Sequence, residues 1–134
     1  METLIKERRV AANPHSQPEG EVIRLEPHDD PAAVASRLAG AARVEVNFPK
    51  FGDGRGFSIA RLLRERYGYK GELRAVGQVA RDHLYLMEQC GFDAFLLREG
   101  EDVADALAAF DDFSERYQST VAQPLPLFRR REAR

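Results

Sequence analysis

The chain has no tryptophan and a single cysteine, Cys90. One thiol excludes an internal disulfide framework, a CxxC redox pair, and any zinc or iron–sulfur site built from several thiolates. A reducing compartment suits such a composition. Long apolar runs are also missing, and the opening METLIKERRV has neither a hydrophobic signal core nor a small-residue cleavage site. The sequence therefore predicts a cytoplasmic protein that does not engage a membrane. Nor is there an excess of charge of one sign, since 20 basic side chains oppose 22 acidic ones for a net charge of -2. That balance leaves no global field of the kind a nonspecific nucleic-acid binder uses.

What remains is an ordinary globular composition, 43% hydrophobic and 31% charged over 134 residues, enough for one core. The first twenty residues lack periodicity and read as an N-terminal arm. Residues 119–134, STVAQPLPLFRRREAR, combine two prolines with a charge of +3 and read as a flexible tail. Between them lies a single domain, residues 21–118, in which short apolar runs alternate four times with amphipathic stretches. This pattern predicts an α/β fold of four consecutive βα units with a parallel sheet, either a small open sheet or half-barrel-like.

The predicted strands are Glu21–Leu25, a run around Val44, Val46 and Phe48, Leu73–Val76, and Ala94–Leu97. Asp30 caps the first helix ahead of Pro31. Ile59, Leu62, Leu63 and Tyr67 stripe the second helix, and Gly68 stops it. Val79, His83, Leu86, Met87 and Cys90 stripe the third, with Gly91 as its stop. The fourth carries Val103, Ala106, Leu107, Phe110, Phe113 and Tyr117 at spacings of three and four. Parallel strands send their following loops to one edge, where α/β folds bind ligands. A four-stranded sheet also leaves two edges to cover, which predicts a homodimer unless the arm or tail covers one.

The most distinctive segment is Phe48-Pro49-Lys50-Phe51-Gly52-Asp53-Gly54-Arg55-Gly56-Phe57-Ser58. Its glycines match neither the dinucleotide fingerprint nor the phosphate loop. Two readings stay open. Either the glycines form a tight turn capped by Asp53 or Ser58, or they make a backbone nest for an anion at the coming helix N-terminus. In the second reading Lys50, Gly54, Arg55, Gly56 and Ser58 would hold a small oxyanion, joined by Arg81 and Arg98 from the later loops. Asp53 and Asp82 would organise the loops, because a carboxylate on the nest would repel the anion.

The remaining candidates read as structural. His83 and Cys90 are predicted to be core residues, about 10 Å apart along one helix and too far for a thiol–imidazole pair or a shared metal. Arg61 and Arg64 are assigned to a solvated helix face. No catalytic constellation, cofactor motif or metal set is readable.

The stretch FPKFGDGRGFSIARLLRERYGYKGELRAVGQVARDHLYLMEQCGFDAFLLREGED, followed by FDDFSERYQ, resembles a bacterial family catalogued as domain of unknown function 934. The likeness runs from about Val44 to Gln118 and, more weakly, back to Val22. Gln78 stands where members usually have aspartate, and His83 where glutamine is common. Members are commonly encoded beside the assimilatory sulfite reductase and are often labelled probable oxidoreductases of sulfite reduction. The resemblance implies an accessory role in sulfur assimilation, with sulfite reductase or its electron donor as partner, and supplies no catalytic residue. The runner-up expectation is a stand-alone enzyme or sensor that binds a small oxyanion or phosphorylated metabolite at the DGRG loop.

Overall fold

A computed structural model describes residues 2–11, 18–50 and 54–118, with side chains described as far as residue 110. Asp53, His15 and the tail 119–134 lie outside the described residues. The described residues form a six-stranded, mostly parallel sheet with four helices. The elements are β1 (Thr3–Lys6), β2 (Arg9–Val10), β3 (Glu21–Leu25), a 3-10 helix (Pro31–Gly40), β4 (Ala41–Phe48), α1 (Gly54–Glu65), β5 (Glu72–Gly77), α2 (Arg81–Gln89), β6 (Ala94–Leu97) and α3 (Val103–Gln118). The strand order is β2-β1-β6-β5-β4-β3. Strands β3 to β6 are thus parallel neighbours in chain order. The sheet contains no point at which the order of these strands reverses, so the central crevice of a doubly wound sheet does not form.

Alternation along the strands separates two faces. Val44, Val46 and Phe48 of β4, Leu73 and Ala75 of β5, and Phe95 and Leu97 of β6 join one buried cluster with Val34 and Leu38 of the 3-10 helix, Ile59 and Leu63 of α1, Leu84 and Met87 of α2, and Ala106 and Phe110 of α3. The helices' core side chains therefore meet one face. The residues between these point to the other face, where Arg43 and Arg74 are only 5% exposed. Each is charge-paired within its own strand, Arg43 Nε to Glu45 Oε2 at 2.9 Å and Arg74 Nη2 to Glu72 Oε2 at 2.7 Å. A half-exposed Lys6 adds its Nζ to Glu72 Oε1 at 3.1 Å.

The N-terminal residues correct the arm expected of the sequence. β1 pairs antiparallel with β6, Leu4 against Leu96 and Ile5 against Phe95, and β2 folds back on β1. Ile5 is fully buried. This hairpin escaped sequence reading because Glu7 and Arg8 occupy its turn at φ 53 and 64, where asparagine and glycine are the usual signals. Contacts with the helices hold the unusual turn: Arg8 donates twice to Glu88 on α2, from Nε at 3.0 Å and Nη2 at 2.7 Å. The Arg8 guanidinium also lies 5.4 Å from the Phe110 ring centroid, and the Glu7 amide donates to the Asp93 carbonyl.

Helix α2 is rotated relative to its expected stripe. It starts at Arg81, buries Leu84 and Met87, and leaves Leu86 51% exposed, while His83 and Cys90 are half-buried. Choosing Leu86 over Leu84 set the sequence-based stripe off by about a quarter of a turn.

Asp93, at the entry to β6, exchanges hydrogen bonds with Leu73: its Oδ1 accepts from the Leu73 amide at 2.8 Å, and its amide donates to the Leu73 carbonyl. Burial pushes the Asp93 carboxyl above its usual range, against the opposing pull of the Leu73 amide and Arg64. A raised carboxyl contributes stability that is present below its unfolded-state pKa and lost as pH rises through the folded value. Asp93→Asn keeps an acceptor for Leu73 without the buried charge. The stability of the variant relative to the parent should therefore rise in urea unfolding as pH climbs from the ordinary carboxyl value of about 4. A relative stability that falls over that climb would mean that the Arg64 attraction outweighs desolvation.

Candidate functional site

The carboxyl ends of β3 and β4 lead into the first turns of the 3-10 helix and of α1, and a cleft of about 560 Å³ opens between those turns. Its floor is apolar, from Pro27, Pro31, Ile59 and Leu62, and its rim carries His28, Asp29, Asp30, Arg55 and Ser58. The rim carboxylates have local tasks. Asp30 Oδ1 caps the 3-10 helix by accepting from the Ala32 amide at 3.0 Å, and Asp29 Oδ2 accepts from the Glu26 amide at 2.7 Å. The exposed His28 ring has Nε2 3.6 Å from Asp29 Oδ1.

The glycines sit differently from the expected nest. Gly54, Arg55 and Gly56 belong to the first turn of α1 itself. Gly56 has a packing role: a Cβ there would lie 2.4 Å from Cε2 of the buried Phe48 ring. Phe48 also meets Phe57 edge-on at 5.5 Å, so the helix start is clamped onto β4 through this ring. At Gly54 an added Cβ meets nothing within 4 Å. Gly56→Ala should thus lose about 1 to 3 kcal/mol from overpacking, partly offset by helix propensity, whereas Gly54→Ala should be neutral or gain up to about 1 kcal/mol. Parallel urea denaturation of the two variants checks the contrast. Equal responses would contradict it.

The expected cationic residues are not gathered together. Gly54, Arg55 and Ser58 line the cleft, while Lys50 is exposed past the end of β4 and is not among the lining residues. Arg81 and Arg98 form a separate cluster at the ends of β5 and β6. Arg81 Nε lies 2.9 Å from Asp105 Oδ2, and Arg98 Nε donates to Glu101 Oε2 at 2.9 Å. Glu101 Oε1 also accepts from the Arg81 amide at 3.2 Å. The hydrogen bond from Arg98 holds the Glu101 carboxyl below its usual range. Glu101 thus organises this loop. The exposed Asp82, expected in that role, approaches Arg81 Nη1 at 3.6 Å.

Glu101 was the legible omission, three residues after Arg98 and hence within side-chain reach. Asp29 and His28 carried no such signal. Arg64, assigned to a solvated face, is instead half-buried and donates to three backbone carbonyls, those of Gly91, Tyr69 and Gly71. Its neighbour Arg61 stays exposed and donates from Nη2 to Cys90 Sγ at 3.8 Å.

Among the described residues, no group of three or more His, Cys, Asp or Glu side chains is placed to hold a metal ion. No helix among them is long and apolar enough to cross a membrane. A family model described as a bacterial protein of unknown function (DUF934) matches residues 22–128. No curated protein and no solved structure matches the chain.

Proposed function

Because the chain belongs to this bacterial family of unknown function, we propose that it is an accessory protein of assimilatory sulfite reduction that docks on the reductase or its electron donor. Two lines support this reading. The first is the family's association with that reductase. The second, which carries the choice of docking over catalysis, is the make-up of the cleft: an apolar floor bordered by Asp29, Asp30 and Arg55, with Arg81 and Arg98 engaged elsewhere by carboxylates. Apolar centres with rims of both charges are the anatomy of protein interfaces. Two carboxylates beside Arg55 disfavour a free oxyanion. On this reading the four strand–helix repeats and the N-terminal hairpin act as one unit, the protein works in the cytoplasm, and any redox step uses the partner's cofactor.

The test is co-elution of the purified chain with sulfite reductase and with its electron donor, beside reductase rates with and without the chain. Complex formation is expected, and the charge reversal Arg55→Glu should weaken it at least about tenfold. Absence of a complex together with unchanged rates would end the reading.

A second reading, a small-oxyanion or phosphorylated-metabolite site, is favoured by one observation: two helix starts open into the cleft beside Arg55 and Ser58. In that case Arg55→Ala lowers affinity for sulfate, sulfite or phosphate by about 1.5 to 3 kcal/mol with little loss of stability. Calorimetric titration decides it, and no binding of any of the three anions rejects it.

A further inference from the structure

The cleft beside Arg55 is one end of a longer groove. The 3-10 helix and α1 each follow one of the parallel neighbours β3 and β4, so they run side by side in the same direction. The cleft opens between their first turns, and a second cavity of about 480 Å³ opens between their ends, lined by Ala35, Ala39, Tyr67, Tyr69 and Lys70. Leu62 floors the upper end and Leu38 the lower. The wall on the side of α1 is basic, because from Gly54 to Gly71 five basic side chains stand against Glu65 alone. Arg55, Leu62 and Arg66 fall on one flank at spacings of seven and four, and the Arg66 amide continues the helical pattern by donating to the Leu62 carbonyl at 2.9 Å.

Arg66 and Lys70 set the lower end apart. Both are exposed, and among the described residues neither side chain has an ion-pair partner. Arg24, Arg37 and Arg98, by contrast, each reach a carboxylate. Cations at a helix end can serve its last carbonyls, but those carbonyls are already engaged here: Leu62 and Leu63 accept from the amides of Arg66, Tyr67 and Tyr69, and Leu38 from that of Ala41. The two charges are left for an anion from outside. Asp29 and Asp30 at the upper end oppose a polyanion lying along the whole groove, and the apolar floor suits side chains better than phosphates. We propose that the whole groove receives one segment of a protein partner, with apolar side chains on its floor and acidic side chains against Arg66 and Lys70. This rests on the reading of the upper cleft as a docking surface, and adds to it the sign of the partner's charge and a second anchor about 16 Å along α1 from Arg55.

Calorimetric titration of the full chain with sulfite reductase and with its electron donor, across a salt series, tests it. The expected result is a complex that weakens as salt rises and that the double reversal Arg66→Glu with Lys70→Glu weakens at least about tenfold. Lys70→Glu alone, outside the helix, repeats the comparison without touching its last turn, and circular dichroism verifies that each variant is folded. Amide hydrogen exchange on the complex should show added protection at both ends of the groove. A complex as tight with the double reversal as with the parent, or protection confined to the upper cleft, would overturn this proposal and leave docking at the upper cleft standing. No complex with either protein would overturn both readings. Binding of poly(U) RNA that the double reversal abolishes would overturn the proposal as well, by assigning the basic wall to a nucleic acid.

Discussion

Gly77→Ala is expected to destabilise the protein by about 2 to 5 kcal/mol, a large share of the stability of a domain this size. Gly77 ends β5 opposite Phe48 at φ +93, a conformation that L side chains rarely adopt. Space is lacking as well as backbone freedom. An added Cβ would lie 2.6 Å from the Phe48 carbonyl oxygen and 2.5 Å from Asn47 Oδ1. The first of these is backbone of the neighbouring strand and cannot swing aside. Relief would require the ends of β4 and β5 to part, at the point where the Gln78 amide donates to that same Phe48 carbonyl at 2.7 Å. Urea unfolding measures the loss, and a change under about 1 kcal/mol would show that the strand ends yield easily.

Arg64→Ala should cost about 2 to 4 kcal/mol, and Arg64→Lys should recover little of it. The guanidinium joins its own helix to the segment that directly follows it and to Gly91, 27 positions away. Nε donates to the Gly91 carbonyl at 2.9 Å, after α2, and Nη1 donates to Tyr69 and Gly71 carbonyls at 2.9 and 2.8 Å, ahead of β5. The group lies 5.6 Å from the Tyr69 ring centroid, and its Nη2 is 3.6 Å from Asp93 Oδ1. Removing it strands carbonyls that water reaches poorly. A lysine ammonium retains the charge but lacks the planar fork that spans several acceptors at once. Gly91 faces the same side chain: at φ +117, a Cβ there would lie 2.5 Å from Arg64 Cγ. Denaturation of the two Arg64 variants side by side is decisive, because a lysine variant as stable as the parent would reduce the role of Arg64 to bulk charge.

Both positions show where sequence reading of the site stopped. A motif such as DGRG announces glycines but not their task. Gly56 proved to be spacing for the Phe48 ring, and that ring comes from the preceding strand. The arginines after β5 and β6 were legible as residues, and their place on the ligand-bearing edge followed from parallel strands. Whether they converge with Arg55 depended on which carboxylates reached them first. Asp105 and Glu101 did so from the start of α3 and the loop before it.

The sequence alone determined the alternation of period-two and helical segments, and with it the β3 to β6 strands, the helices that follow them, the Asp30 cap and the family likeness. These signals are local: a side-chain period or a cap is carried by residues within a few positions of each other. Only the tertiary structure decided that Thr3–Val10 extends the sheet past β6, that Arg43 and Arg74 are buried beside glutamates, that Arg64 ties three segments together, and that Arg55 lines one cleft with Asp29 and Asp30. Apart from the Arg43–Glu45 and Arg74–Glu72 pairs, which lie within single strands, those outcomes rest on residues far apart in the chain, up to the 80 positions that separate Arg8 from Glu88. Their meeting is governed by the packing of whole elements, which leaves no periodic trace in either partner's local sequence.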